Sequence, residues 1–204
     1  MALWGATTAD EAKPKHLTDA DKRDVYATDR GWTAPAGGNP NGEREVLVAI
    51  GSLSGATKLA EASISSITWD KNLDGPPYGD EGPPTFSHGN GGSMSLHVNF
   101  NEVVTVTDNP LGGTPSLTIT SSNAITSTLQ WEYLEGSGTN RLVFMSEEYE
   151  EPEAFEVGDV LSIGLNALNT LNGATITDTE STNNAVLNSS ADMGALAGTV
   201  TIAA

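Results

Sequence analysis

From Met94 to Asn101 the chain alternates strictly: Met94, Leu96, Val98 and Phe100 fall on one parity, and Ser95, His97, Asn99 and Asn101 on the other. Successive side chains of an extended strand point to opposite faces, so this run predicts a half-buried antiparallel strand with its apolar parity on a core and its polar parity in water. Other short runs of strand type lie around it, at Ile64–Trp69, Val103–Val106, Ser116–Thr120, Thr128–Tyr133, Arg141–Met145, Val160–Leu165, Thr175–Thr177 and Ala185–Leu187. Turn signals separate them: Asp74-Gly75-Pro76-Pro77, Gly112-Gly113-Thr114-Pro115, Gly136-Ser137-Gly138-Thr139-Asn140 and Asn172-Gly173. Short strands at this spacing predict an all-β fold, a β-sandwich over residues 61–188. Residues 189–204 are then a carboxy-terminal tail or an extra strand.

Composition agrees and closes several alternatives. Of 204 residues, 37% are hydrophobic, which suffices for one core, and 22 Gly with 10 Pro favour turns over long helices. There is no cysteine, so disulfides and thiolate metal sites are excluded. A net charge of −18 argues against nucleic acid or an anionic membrane as a direct partner. No run of ~18 apolar residues crosses a bilayer, and the opening Met1–Ala6 has neither the basic nor the apolar region of a signal peptide. The expectation is a soluble protein made in the cytoplasm.

The charge is divided unevenly. Residues 1–71 hold eight of the nine Lys and Arg against ten acids, a net of −2, whereas residues 72–204 hold only Arg141 against 17 acids, a net of −16. A near-neutral segment can lie against another protein, while a body of one sign repels its copies and stays solvated. Solubility alone is the competing explanation.

The amino-terminal segment, 1–60, reads as an arm. Thr18 and Asp21 have capping-box spacing for one short helix reaching about Tyr26. Gly31–Ala36 and Glu43–Ile50 flank a Gly/Asn/Pro insert, which predicts a hairpin. One helical turn and one hairpin bury too little to fold alone. Trp4, Tyr26 and Trp32 are therefore expected to anchor the arm in a neighbouring subunit, the competing expectation being that they fold back on the sandwich.

Two resemblances attach to quoted residues. Gly92–Val106, with its Phe100-Asn101-Glu102 step into Val103-Val104-Thr105-Val106, resembles the second-strand segment of bacterial immunoglobulin-like repeats of large adhesins. Pro115–Ile119, Tyr133–Phe144 and Leu171–Asp178 resemble later blocks of the same repeats, in the same order over about 64–188. The resemblance implies an immunoglobulin-like β-sandwich, here as a single repeat where adhesins carry many behind a secretion signal. Met1–Gly5 with Ala12–Lys15, Gly31-Trp32 and Val46–Ile50 is similar to the openings of structural proteins of tailed phages, especially those of marine cyanobacteria. That similarity implies a virion protein.

Candidate chemistry is thin. His16 in the arm, His88 in a Gly-rich loop and His97 on a polar strand face are expected to be exposed, and no Ser sits in a nucleophile-elbow pattern. The run Glu147, Glu148, Glu150, Glu151, Glu153, Glu156 and Asp159 lacks the tight Asp/Asn loop that calcium favours, so it reads as a solvated loop, with weak calcium binding as the alternative. Asp70, Asp74, Asp80 and Glu81 form a looser cluster of the same kind. Trp69 and Trp131 fall on strands and are expected in the core, exposed sugar-binding Trp being the alternative. Glycine-rich Gly89–Gly92 opens no helix and cradles no phosphate.

The sequence therefore leads to a non-enzymatic virion structural protein: a capsid decoration or cement protein held by its arm, with the acidic sandwich outward. Its expected partners are the major capsid or other virion proteins, with self-association as an option. Neither catalytic residues nor a metal or cofactor is expected. Alternatives are a neck or tail accessory subunit, or a cell-surface adhesion module binding calcium or carbohydrate.

Overall fold

The computed structural model describes residues 12–39, 41–72, 85–87, 93–109, 113–122, 128–145, 157–169, 173–187 and 190–203. Its amino-terminal part follows the predicted signals closely. The Thr18 hydroxyl accepts from the Asp21 N–H at 3.1 Å and the Asp21 carboxylate accepts from the Thr18 N–H at 3.3 Å, capping helix α1 (Asp19–Arg23) reciprocally. The expected hairpin is strand β2 (Gly31–Pro35) against β3 (Arg44–Ala49), with a bulge between Trp32 and Thr33. Strand β1 (Tyr26–Thr28) pairs with β2 on its other side, completing a three-stranded sheet. Gly31 is required at the β1–β2 turn: its φ is +124°, and a Cβ there would stand 2.0 Å from the Val48 carbonyl oxygen.

The second sheet is larger. Its strands are β4 (Ile64–Asn72), β5 (Thr85–Ser87), β6 (Ser93–Thr107), β7 (Ser116–Ser121), β8 (Thr128–Glu135), β9 (Thr139–Met145), β10 (Val160–Asn169), β11 (Thr175–Asp178) and β12 (Val200–Ala203). They pair in the order β11-β6-β9-β8-β7-β10-β12-β5, with β4 also on β6, as a nearly closed β-sandwich or barrel. Every pairing is antiparallel except β12 with β5. The predicted runs 94–101 and 103–106 are one strand, β6. It is long because it serves two partners on one side, β4 along its first half and β11 along its second, with β9 on the other. Met94, Leu96, Val98 and Phe100 are all buried, as their parity predicts, in a core shared with Trp131, Leu142, Phe144 and Leu161.

Two expectations are corrected here. The polar parity of β6 is not in water: Ser95 and Asn99 are buried, because β1 packs on β6 and Arg141 donates through Nε to Asn99 Oδ1 at 2.8 Å. The Ala185–Leu187 run forms no strand, only bridges at Asn184 and Val186. The carboxy-terminal stretch holds an extra strand, β12, one of the two forms expected of it, and before that strand an unforeseen helix α2 (Ser190–Ala197), which packs on β10 and β4 and seats Met193 in the core.

Candidate functional site

The apolar parity of β6 runs on past Phe100 to position 102, and there it carries an acid. Glu102 is 1% exposed, between buried Phe100 and buried Val104. Strand β11 runs antiparallel beside it and ends on Asp178, opposite Val104 and likewise 1% exposed. Asp178 Oδ1 is well held, accepting from the N–H groups of Glu180 at 2.8 Å and Ser181 at 2.7 Å. Both Glu102 oxygens and Asp178 Oδ2 receive no hydrogen bond from any other residue, and the two carboxyls are hydrogen-bonded to each other, the protonated Glu102 donating to Asp178. Burial pushes the Glu102 carboxyl up to about 9, and the Asp178 charge, the hydrogen bond between the two carboxyls and then the Glu180 charge add to the shift. Carboxyl groups are rarely buried outright, so two acids at 1% exposure side by side mark a candidate site rather than ordinary core.

Glu102 borders a cleft of about 200 Å³ between the small sheet and the sandwich. Thr28, Asp29, Arg30 and Ser54 line it from the amino-terminal side, Glu102 and Glu180 from the sandwich. Three polar contacts hold the two walls together. Lys13 Nζ donates to Ser65 Oγ at 3.0 Å, Asn140 Nδ2 donates to the Arg23 carbonyl at 3.1 Å, and Arg141 reaches Asp24 at 3.3 Å. Lys13 has no acidic partner at bonding distance in these contacts, and burial lowers its ammonium to about 8.

The three residues expected to anchor the arm meet different fates. Trp4 lies outside the described residues. Trp32 is 2% exposed and forms the centre of a small second core with Val25, Ala27, Ile50 and Leu53. Its surface is occupied within its own segment, which corrects its assignment as a contact to a neighbour. Tyr26 is half-buried, with the Arg44 guanidinium 3.7 Å over its ring. Arg44 in turn donates to the Asp24 carbonyl at 2.6 Å and the Thr33 carbonyl at 2.7 Å, so Tyr26 is also part of the segment's own framework.

The histidines divide as well. His16 is exposed, as expected, and His88 lies outside the described residues. His97 is not exposed: its side chain is 13% accessible, with Nε2 3.5 Å from Asp70 Oδ2. Burial, and then the Arg141 charge, hold its pKa below the ordinary value, so the contact joins a neutral imidazole to Asp70 at neutral pH. Asp70 therefore belongs to a strand pair, and its expected companions Asp74, Asp80 and Glu81 lie outside the described residues, as do Glu147, Glu148, Glu150, Glu151, Glu153 and Glu156. Trp131 is fully buried and Trp69 meets it edge to face at 5.5 Å, its Nε1 donating to the Ala197 carbonyl at 2.9 Å. Neither presents a free ring to a sugar.

Glu102 carried a sequence signal that alternation alone exposes: an acid on the core parity, followed two residues later by Val104. Asp178 carried none, since only strand pairing brings it to β6. No family model, no curated protein and no solved structure matches the chain.

Proposed function

We propose that this chain is a non-enzymatic structural protein of a tailed-phage virion, a capsid decoration or cement protein whose sandwich is of the immunoglobulin-like type. The observation that supports it best is the division of charge, −2 over residues 1–71 against −16 over residues 72–204. Such a chain meets a protein shell through its near-neutral segment and turns its repelling body to solvent. The similarity of Met1–Gly5, Ala12–Lys15 and Val46–Ile50 to phage structural proteins points the same way. A neck or tail position fits the same reasoning.

With Trp32 inside the small core and Tyr26 under Arg44, attachment falls to Trp4 and to the outward side of β3, where Val46 is 38% exposed. Mass spectrometry of purified virions tests the reading directly, and finding the chain absent from particles overturns it. A chain lacking residues 1–11 keeps every contact described above and is expected to stay folded but bind particles weakly. Undiminished binding by that chain moves the attachment to β3 or the sandwich.

One observation favours a second reading, a cell-surface adhesion module: the buried acid Glu102 borders an open cleft, which suits a ligand-dependent extracellular domain. Binding of the labelled chain to cells, with none in virions, selects it.

A further inference from the structure

We propose that the joint between the small sheet and the sandwich is a proton-controlled latch: one proton held between the Glu102 and Asp178 carboxyls keeps the small sheet docked, and its loss releases that sheet as a folded unit. The inference is independent of whether the chain works on a virion or a cell surface.

Glu102 sits where β6 is held least. The ladder to β4 ends at Phe100, the ladder to β11 begins at Val104, and the ladder to β9 breaks between Asn99 and Val104. Across the cleft from Glu102 stand Thr28, Asp29, Arg30 and Ser54 of the amino-terminal segment. Behind it lies Asp178, whose Oδ1 is fixed by the N–H groups of Glu180 and Ser181, so this carboxylate cannot swing away. Asp178 is the acceptor, and Glu102 carries the proton. Ionising Glu102 in the docked joint puts two carboxylates side by side without water, a pair that cannot both stay charged. Asp29 and Glu180 on the cleft walls add to the repulsion, and Arg30 is the one basic lining residue against them. Water relieves the strain, and parting of the cleft walls admits it.

The small sheet is built to leave as a unit. It has its own core around Trp32, so its fold does not depend on the sandwich. Besides the packing of β1 on β6, polar contacts of Lys13, Arg23 and Asp24 hold it down, and the Asp24 pair is substantially exposed. The pivot is Ala60, whose carbonyl accepts from Ser181 Oγ and Asn183 Nδ2, both at 2.9 Å, and so ties the end of the segment to the sandwich. A proton bound only in the docked state makes docking weaken up to about tenfold for each pH unit. Lys13 acts in the opposite sense. Burial lowers its ammonium to about 8, so alkali favours its neutral, docked form. Substitution of Glu102, and not alkali alone, therefore identifies the latch.

The test uses the full chain with S54C, which puts its only thiol on the cleft wall at a position 2% exposed. The rate of thiol labelling by a maleimide is divided by the rate for the same chain unfolded in urea at the same pH. That ratio reads opening of the cleft and cancels titration of the thiol. Protection is expected to fall about tenfold or more between roughly pH 7 and pH 9, while amides of residues 94–98 and 139–145 stay protected from exchange. E102Q/S54C is expected to show no such fall. Should that variant fail to fold, E180Q/S54C, altered on an exposed lining residue, is expected to show a smaller fall, because one repelling charge is gone. Equal protection of S54C at both pH values overturns the proposal. So does a fall in E102Q/S54C, or in E180Q/S54C, as large as in S54C alone. Loss of amide protection in the sandwich together with the thiol overturns it as well, since the chain then unfolds as one body.

Discussion

Arg141, the one basic residue after position 71, turns its guanidinium back across 117 residues of chain to meet the Asp24 carboxylate at 3.3 Å. The same side chain donates through Nε to the buried Asn99 Oδ1 at 2.8 Å. One cation thus serves the joint between the amino-terminal segment and the sandwich and the hidden polar face of β6. The two contacts differ in worth. The Asp24 pair is substantially exposed, at 38% and 57%, and is screened by water. The Asn99 contact is part-buried, and Asn99 itself is fully buried.

A double-mutant cycle of R141A with D24A is accordingly expected to give a coupling below ~1 kcal/mol. R141A itself is expected to cost more, about 1–3 kcal/mol, because Asn99 Oδ1 loses its donor in the interior. Urea melts of the three chains measure both terms. A coupling larger than the loss in R141A would place the stabilisation at Asp24 instead.

Glu102 predicts an unusual pH dependence. The folded chain keeps its proton up to about pH 9, while the unfolded chain gives it up near 4.5. Its contribution to stability is therefore complete below the unfolded value and is lost as pH rises from there through about 9. Denaturant midpoints are expected to fall between pH 4.5 and about pH 9, and E102Q is expected to flatten that fall. An equal decline in E102Q assigns the effect to other groups.

His97 acts in the opposite sense. Its folded pKa lies below 6.5, chiefly through burial, so stability is present above 6.5 and is lost as pH falls toward the folded value. The NMR titration of its ring protons is expected to have a midpoint under 6.5. Asp70 is the neighbour that raises the value, so D70N is expected to move the midpoint lower still. A midpoint above 6.5 in the wild-type chain would mean that Asp70 outweighs burial and Arg141.

Trp32 predicts a local unfolding. Truncation to Ala in the small core is expected to cost about 3–5 kcal/mol, as removal of a buried aromatic does. The loss is expected first in the small sheet, since Trp32 is the one aromatic ring packed with Val25, Ala27, Ile50 and Leu53 in that cluster. Hydrogen exchange of W32A should therefore accelerate over residues 26–50 while residues 94–106 and 139–145 remain protected. Uniform acceleration would show that the segment and the sandwich melt as one unit.

Much of this architecture is written in local pattern. The alternation from Met94 to Phe100 determined a strand and its buried face, because a period of two allows no other use of those residues. Thr18 with Asp21, and the Gly/Asn/Pro insert before Glu43, determined α1 and the β2–β3 hairpin through interactions only a few residues apart. Other features exist only once distant segments meet. Asn99 and His97 have the pattern of solvent-facing residues, and they are covered because Arg141 and Asp70 arrive from other strands, with β1 lying over β6. Trp32 reads as an anchor until Val25, Ile50 and Leu53 enclose it. The carboxylate site depends on both levels. Parity places Glu102 on the inner face of β6, but Asp178 reaches it only through the β11–β6 pairing and Asp29 through the docking of the small sheet. Alternation is a property of neighbours in sequence, whereas an electrostatic site is a property of groups that share a volume, and that volume is set by the tertiary fold.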